Sequence, residues 1–186
     1  VTELFTWDRN GPVPLLLEIA VGGTDLTTRF IYEGVFPVAE VSNSGEVFHH
    51  FRDRVGTLRA RISEATGAVV ERFDYDAYGR QRQGSASPVG FSGGYHDADS
   101  GLVFLRSRWY SPHLARFVSR DSAPVGVADP RSINRYAYNY GDPVNRLDLT
   151  GQVSVAEVAV NLAIATALAV VPFAVTVDGS EAVTTP

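Results

Sequence analysis

Phe73-Asp74-Tyr75-Asp76-Ala77-Tyr78-Gly79-Arg80 is the stretch that decides the fold. Aromatic residues alternate with acids and run into a glycine, the pattern of a β-strand entering a tight turn. Successive strand side chains point to opposite faces, so Phe73 and Tyr75 share one face and Arg72 and Asp74 the other. Just upstream, Leu58, Ala60 and Ile62 line one face of a second strand, with Arg59 and Arg61 behind them. The turn-like Ala65-Thr66-Gly67 separates the two strands. Pairing them sets Arg near Asp or Glu on the outer surface, each contact contributing about 0.2–1 kcal/mol. No amphipathic stretch of helical length competes in the first 90 residues.

The unit repeats. Trp7-Asp8-Arg9-Asn10-Gly11, Phe30-Ile31-Tyr32-Glu33-Gly34, Phe51-Arg52-Asp53-Arg54-Val55-Gly56 and Tyr75-Asp76-Ala77-Tyr78-Gly79 each place an aromatic, an acid and a glycine within one short span. A period of roughly 20–25 residues means one supersecondary unit per repeat, which cannot bury its own face and must stack on neighbours. The aromatic supplies the buried contact, glycine permits the turn, and the acid hydrogen-bonds backbone within it. The fold class is mainly β, made of antiparallel hairpins.

The Phe73–Arg80 string resembles the signature of YD-repeat proteins, in which Tyr-Asp precedes a Gly-Arg turn. That resemblance implies hairpins that spiral into a long sheet closing as a hollow shell. Residues 91–151 resemble the Rhs repeat-associated core in order and nearly in spacing. The matching pieces are Gly94-Tyr95-His96-Asp97, Ser100-Gly101-Leu102, Arg108-Trp109-Tyr110-Ser111-Pro112 and Ala115-Arg116-Phe117-Val118-Ser119-Arg120-Asp121. They continue with Ser132-Ile133-Asn134-Arg135-Tyr136-Ala137-Tyr138, Asp142-Pro143 and the closing Asp148-Leu149-Thr150-Gly151. The chain divides accordingly into YD-repeat hairpins (1–90), the core (91–151) and a short hydrophobic tail (152–186), for which a helix is one reading. The spacing of Tyr136, Tyr138 and Tyr140 predicts three rings on one strand face, a ladder able to plug the end of a shell.

The family's core cuts its own chain once as an intramolecular aspartyl protease and frees a C-terminal payload. The resemblance implies Asp121 and Asp148 as the carboxylate pair, Arg120 as the cation that holds or stabilises charge, and a cut after Gln152, before Val153; Asp129 stands in reserve. Two carboxylates at short range push their pKa values apart, leaving one as base and one as acid. The sequence departs from the family in three places: Ser122 and Leu149 replace prolines, and Gln152 replaces leucine. The residues alone also support a bland alternative, with Asp121 paired to Arg116 and Asp148 capping the Leu147–Gly151 turn. Both readings stay open at this point.

Composition narrows the classes. The chain has no Cys, which excludes disulfides and thiolate chemistry, and no Met, so it reads as an excerpt of a longer protein. A net charge of −5 argues against a nucleic-acid partner, which needs a concentrated basic face. Adjacent His49 and His50 point to opposite strand faces and make no ready metal site, and no spacing supplies a cofactor loop. Residues 158–177 carry no charge between Glu157 and Asp178; as a helix they would span roughly 30 Å, about the hydrocarbon core of a bilayer. The expected partners are therefore an upstream shell of the same chain, an encapsulated payload and, through 158–177, a membrane; the expected setting is secreted or cell-surface. A non-enzymatic scaffold contacting carbohydrate through aromatics, or an inactive fragment, is the alternative.

Overall fold

Two turns of the repeat share one bonding scheme in the computed structural model, which describes residues 2–11, 13–85, 87–122 and 130–152. The Asp53 carboxylate accepts the backbone N–H groups of Val55 and Thr57, both at 3.0 Å, while the Gly56 N–H donates to the Asp53 carbonyl. The Asp76 carboxylate likewise accepts from Tyr78 at 2.9 Å and Arg80 at 3.0 Å, and the Gly79 N–H donates to the Asp76 carbonyl. Both glycines are left-handed, at φ 80° and 85°. A Cβ on Gly56 would lie 2.1 Å from the Phe36 ring, and one on Gly79 2.5 Å from the Phe91 ring. Each turn is therefore capped by an aromatic ring from another part of the chain.

These turns join strands of an antiparallel meander. β1 (Glu3–Asp8), β2 (Leu15–Val21), β3 (Thr27–Glu33), β4 (Phe36–Ser42), β5 (Val47–Arg52), β6 (Leu58–Ser63) and β7 (Val69–Arg72) form a seven-stranded sheet in sequence order. β8 (Asp74–Tyr75) and β9 (Gln81–Gln83) make a small two-stranded ribbon. The expected outer-surface pairs form: Arg61 meets Glu71 at 2.6 Å, and Arg59 meets Asp53 at 2.9 Å and Asp74 at 3.5 Å. His49 is exposed and His50 buried, on opposite faces as the alternation requires.

The repeat has a second structural mark. The register slips at Thr6/Trp7 against β2, at Ile31/Tyr32 against β4, at Phe51/Arg52 against β6 and at Asp74/Tyr75 against β9. In every case the returning strand carries the extra residue: Leu17, Val38, Arg59 and Arg82. Such a bulge bends the strand and re-aims the side chain opposite. Trp7, Tyr32 and Tyr75 sit at that place and turn into the cores. The third repeat differs from the sequence reading: Phe51 is 60% exposed, and the inward place is taken by Arg52, which lies 5.0 Å from the Phe36 ring centre.

The second half folds back onto these turns. A four-stranded sheet, β10 (Tyr95–Asp97), β11 (Leu102–Leu105), β12 (Arg108–Ser111) and β13 (Arg116–Phe117), follows a 3-10 turn at Phe91–Gly93. Phe91, Val103, Leu105, Tyr110, Phe117 and Tyr138 form its core, and Tyr75 of the repeat packs against them. Cross-links are specific: the Tyr110 hydroxyl donates to the Tyr78 carbonyl at 2.8 Å, and Ser92 N–H to the Thr57 hydroxyl at 3.1 Å.

The tyrosine ladder does not form. Residues 136–141 are a turn ending in a 3-10 stretch, Asn139–Gly141, with one isolated bridge from Ala137 to Arg116. Asn139, Tyr140 and Gly141 are successively left-handed, at φ 49°, 54° and 81°, which no strand tolerates. Tyr138 alone of the three enters the core at 1% exposure, and buried Asn139 donates to the Arg146 carbonyl at 2.7 Å. No helix among the described residues is long and apolar enough to cross a membrane. Asp129 and the 158–177 segment lie outside the described residues.

Candidate functional site

β11 and β12 are joined by a two-residue hairpin, Arg106-Ser107, with Leu105 opposite Arg108 and Arg106 left-handed at φ 62°. This hairpin puts two arginines side by side in a buried setting, each only 5% exposed. Arg106 reaches the Asp148, Val35 and Ser92 carbonyls, each at 3.3 Å, so it ties the closing motif to the first sheet. Its burial pushes the guanidinium below its usual range, against the nearby Asp148 charge.

Arg108 is the centre of the site. Its Nη2 lies 2.8 Å from Asp121 Oδ2 and 3.9 Å from Asp148 Oδ2. Its Nε donates to the Gly151 carbonyl and its Nη1 to the Arg135 carbonyl at 3.3 Å, while the plane rests 3.6 Å above the Phe117 ring centre. A fixed guanidinium fork serves such divergent acceptors as an ammonium cannot. The two sequence-predicted aspartates are thus gathered on one cation.

Asp148 is 1% exposed. Its Oδ1 accepts the Thr150 N–H at 3.2 Å and the Gly151 N–H at 2.8 Å, which is the turn cap the residues alone suggested. Its Oδ2 has no hydrogen-bond donor among the described residues. Burial raises the Asp148 carboxyl above the usual range; Arg108, the two backbone donors and Arg106 oppose that shift without cancelling it.

Asp121 does not pair with Arg116, whose guanidinium sits 4.6 Å over the Tyr136 ring instead. Its N–H donates at 3.0 Å to the Arg135 carbonyl, the same carbonyl that Arg108 Nη1 holds. Arg120 is exposed, so the cation between the two carboxylates comes from β12. Sequence reasoning quoted Arg108 in a motif but gave it no role. The available signal was a charged residue between Leu105 and Tyr110 in an apolar strand, a place that demands a buried partner.

The closing turn seats on the same hairpin. A Cβ at Gly151 would meet the Leu105 carbonyl at 2.0 Å and the Ser107 hydroxyl at 2.6 Å, so only glycine lets the backbone approach. Gln152 follows, its amide donating to the Ser122 hydroxyl at 3.1 Å. Among the described residues no three His, Asp or Glu side chains converge as metal ligands.

The model of the teneurin YD-shell family matches residues 23–144, well over half of the chain. The chain belongs to the teneurin YD-shell family. This YD-shell segment is 33% identical over 110 residues to the tRNA nuclease WapA of Bacillus subtilis, covering 56% of the chain and 5% of that protein. It is 40% identical over 78 residues to the toxin protein Tse5 of Pseudomonas aeruginosa, covering 42% of the chain and 6% of that protein. The solved TcdB2-TccC3-Cdc42 structure shares its fold at a TM-score of 0.60 and 20% identity, over 81% of the chain and 8% of the solved one. The segment thus spans only a small part of each relative. It is a YD-shell segment similar in sequence to a toxin protein and in fold to a solved TcdB2-TccC3 complex.

Proposed function

We propose that this segment is the closing end of a secreted or cell-surface Rhs-type encapsulating shell, and that it cuts its own chain after Gln152. In this reading residues 1–90 are shell hairpins, 91–151 close the shell, and the cut falls one residue into the 152–186 tail, so that 153–186 are set free. The shell of the same chain and the released payload are its partners. Relatives named as a nuclease and a toxin support a payload beyond the core.

One observation carries the proposal: Arg108 gathers Asp121, Asp148 and the carbonyl of Gly151, the residue before Gln152. Asp121, ion-paired at 2.8 Å, takes the proton from water. Asp148, raised by burial and with one oxygen lacking a donor among the described residues, supplies the proton to the leaving nitrogen. Arg108 orients both carboxylates and the backbone before the cut.

The test is intact mass of the wild-type chain and of Asp148→Asn and Asp121→Asn after incubation across pH. A product ending at Gln152 from the wild type, absent from both variants, is expected. Equal cleavage by either variant would remove that aspartate from the chemistry. The alternative, a carbohydrate-contacting scaffold, is favoured by a cavity of about 740 Å³ lined by Phe5, Trp7, Tyr95, Phe104 and Trp109. It predicts an intact wild-type chain that binds oligosaccharide, with binding lost in Trp109→Ala.

A further inference from the structure

The closing motif contains a side chain that the carboxylate chemistry does not use. Thr150 places its hydroxyl 2.8 Å from the carbonyl oxygen of Gln152. The same hydroxyl accepts the Gln152 N–H at 3.1 Å and lies 3.5 Å from Asp148 Oδ1. A hydroxyl has one hydrogen to give. With a lone pair occupied by the Gln152 N–H and the Asp148 oxygen at the outer limit of a hydrogen bond, the hydrogen goes to the Gln152 carbonyl. That carbonyl belongs to the peptide bond the proposed cut breaks.

We infer that Thr150 is a catalytic residue of this self-hydrolysis, whose hydroxyl polarises the Gln152 carbonyl and holds the oxyanion that forms on it. The inference rests on the self-cleavage reading and deepens it. Water bonds to the Gln152 carbonyl carbon as Asp121 takes its proton. The C=O electron pair moves to oxygen, where the Thr150 O–H donates to it. Collapse of the intermediate breaks the C–N bond, and the Val153 nitrogen takes the proton from Asp148. The products are the Gln152 carboxyl and the Val153 amine. Thr150 gives up no atom, and a single turnover leaves nothing to regenerate.

The geometry suits the role in two further ways. The Thr150 N–H is pinned at 3.2 Å to Asp148 Oδ1, so carboxylate and hydroxyl move as one unit. The Gln152 side chain is anchored separately to Ser122, beside Asp121. The carbonyl is thereby tied through Thr150 to Asp148, and its residue through Ser122 to the neighbour of Asp121. A donor fixed before reaction is worth far more than one recruited during it.

The experiment compares Thr150→Val, which keeps shape and loses the hydroxyl, with Thr150→Ser, which keeps the hydroxyl. Each full chain is followed by intact mass over time at several pH values, with thermal melts alongside. Thr150→Val is expected to slow cleavage on the order of 100-fold, with the pH profile unmoved and the melt unchanged. Thr150→Ser is expected to cut within a few-fold of the wild type. Wild-type cleavage with Thr150→Val equally fast overturns the role of Thr150 and leaves self-cleavage standing. Serine as slow as valine, with both melts lowered, overturns it too, because the hydroxyl is then not the active group. A wild-type chain that never cuts overturns both.

Discussion

Arg108 ties several distant parts of the chain together through one buried side chain. Its contacts at Asp121, Asp148, Arg135 and Gly151 come from distant parts of the chain, and all fall within a buried space. Removing a cation from such a place leaves carboxylates without compensation, at a cost of about 3–5 kcal/mol. Arg108→Gln is expected to lose about that much in urea unfolding, and Arg108→Lys only part of it. The aspartates could be named from their motifs; the strand around Arg108 signals that it needs a buried partner, but which partners it meets is set only when four separate segments converge.

Titration separates two buried acids. Burial raises the Asp148 carboxyl, so between its unfolded and folded values the native chain keeps a proton that the unfolded chain has lost. The stability this group contributes is present in acid and is lost as pH rises through the folded value. Glu40 runs the other way. Burial alone would raise it, but His50 at 3.2 Å and Arg61 at 2.6 Å bring it below the usual range. Its contribution is present above the unfolded value and is lost as pH falls through the folded one. Thermal melts across pH should show Asp148→Asn weakening the decline on the rising side and Glu40→Gln weakening the acid decline. An unchanged pH dependence in both would contradict this assignment.

At the scale of elements, the hairpin is a strand, an Asp-centred turn and a bulged return strand. The turn was legible from Asp76 and Gly79 because its bonds are local. The bulge at Arg82 was not, because it exists only in the pairing of two strands. Tyr136, Tyr138 and Tyr140 misled for a related reason: their spacing of two fits a strand, while left-handed Asn139 and Tyr140 make a turn.

The aromatic caps on the turns give a graded test. Gly34 is left-handed but has open space around the missing Cβ, so Gly34→Ala should cost about 1 kcal/mol for the backbone alone. Gly56→Ala and Gly79→Ala add a collision with Phe36 and Phe91 and should cost about 1–3 kcal/mol more. Equal losses at all three positions in chemical denaturation would show that the rings give way freely.

At the scale of the whole molecule, the seven-stranded sheet pairs β1 on one side only among the described residues. Leu4 is 59% and Phe5 39% exposed on that edge strand. An unpaired apolar edge is a template for another chain, and a shell built of stacked repeats would cover it. The isolated chain is therefore expected to associate as concentration rises, and Leu4→Lys to reduce that association in size-exclusion with light scattering. A monomer at every concentration would argue that the edge is already protected.

Self-cleavage as proposed makes residues 91–152 a cutting site as well as a packed end. The most direct measurement is the mass of the freshly folded wild-type chain, followed over time at mildly acidic and neutral pH. The 20.1 kDa species is expected to give way to a fragment ending at Gln152. A chain that keeps its full mass under every condition would contradict it.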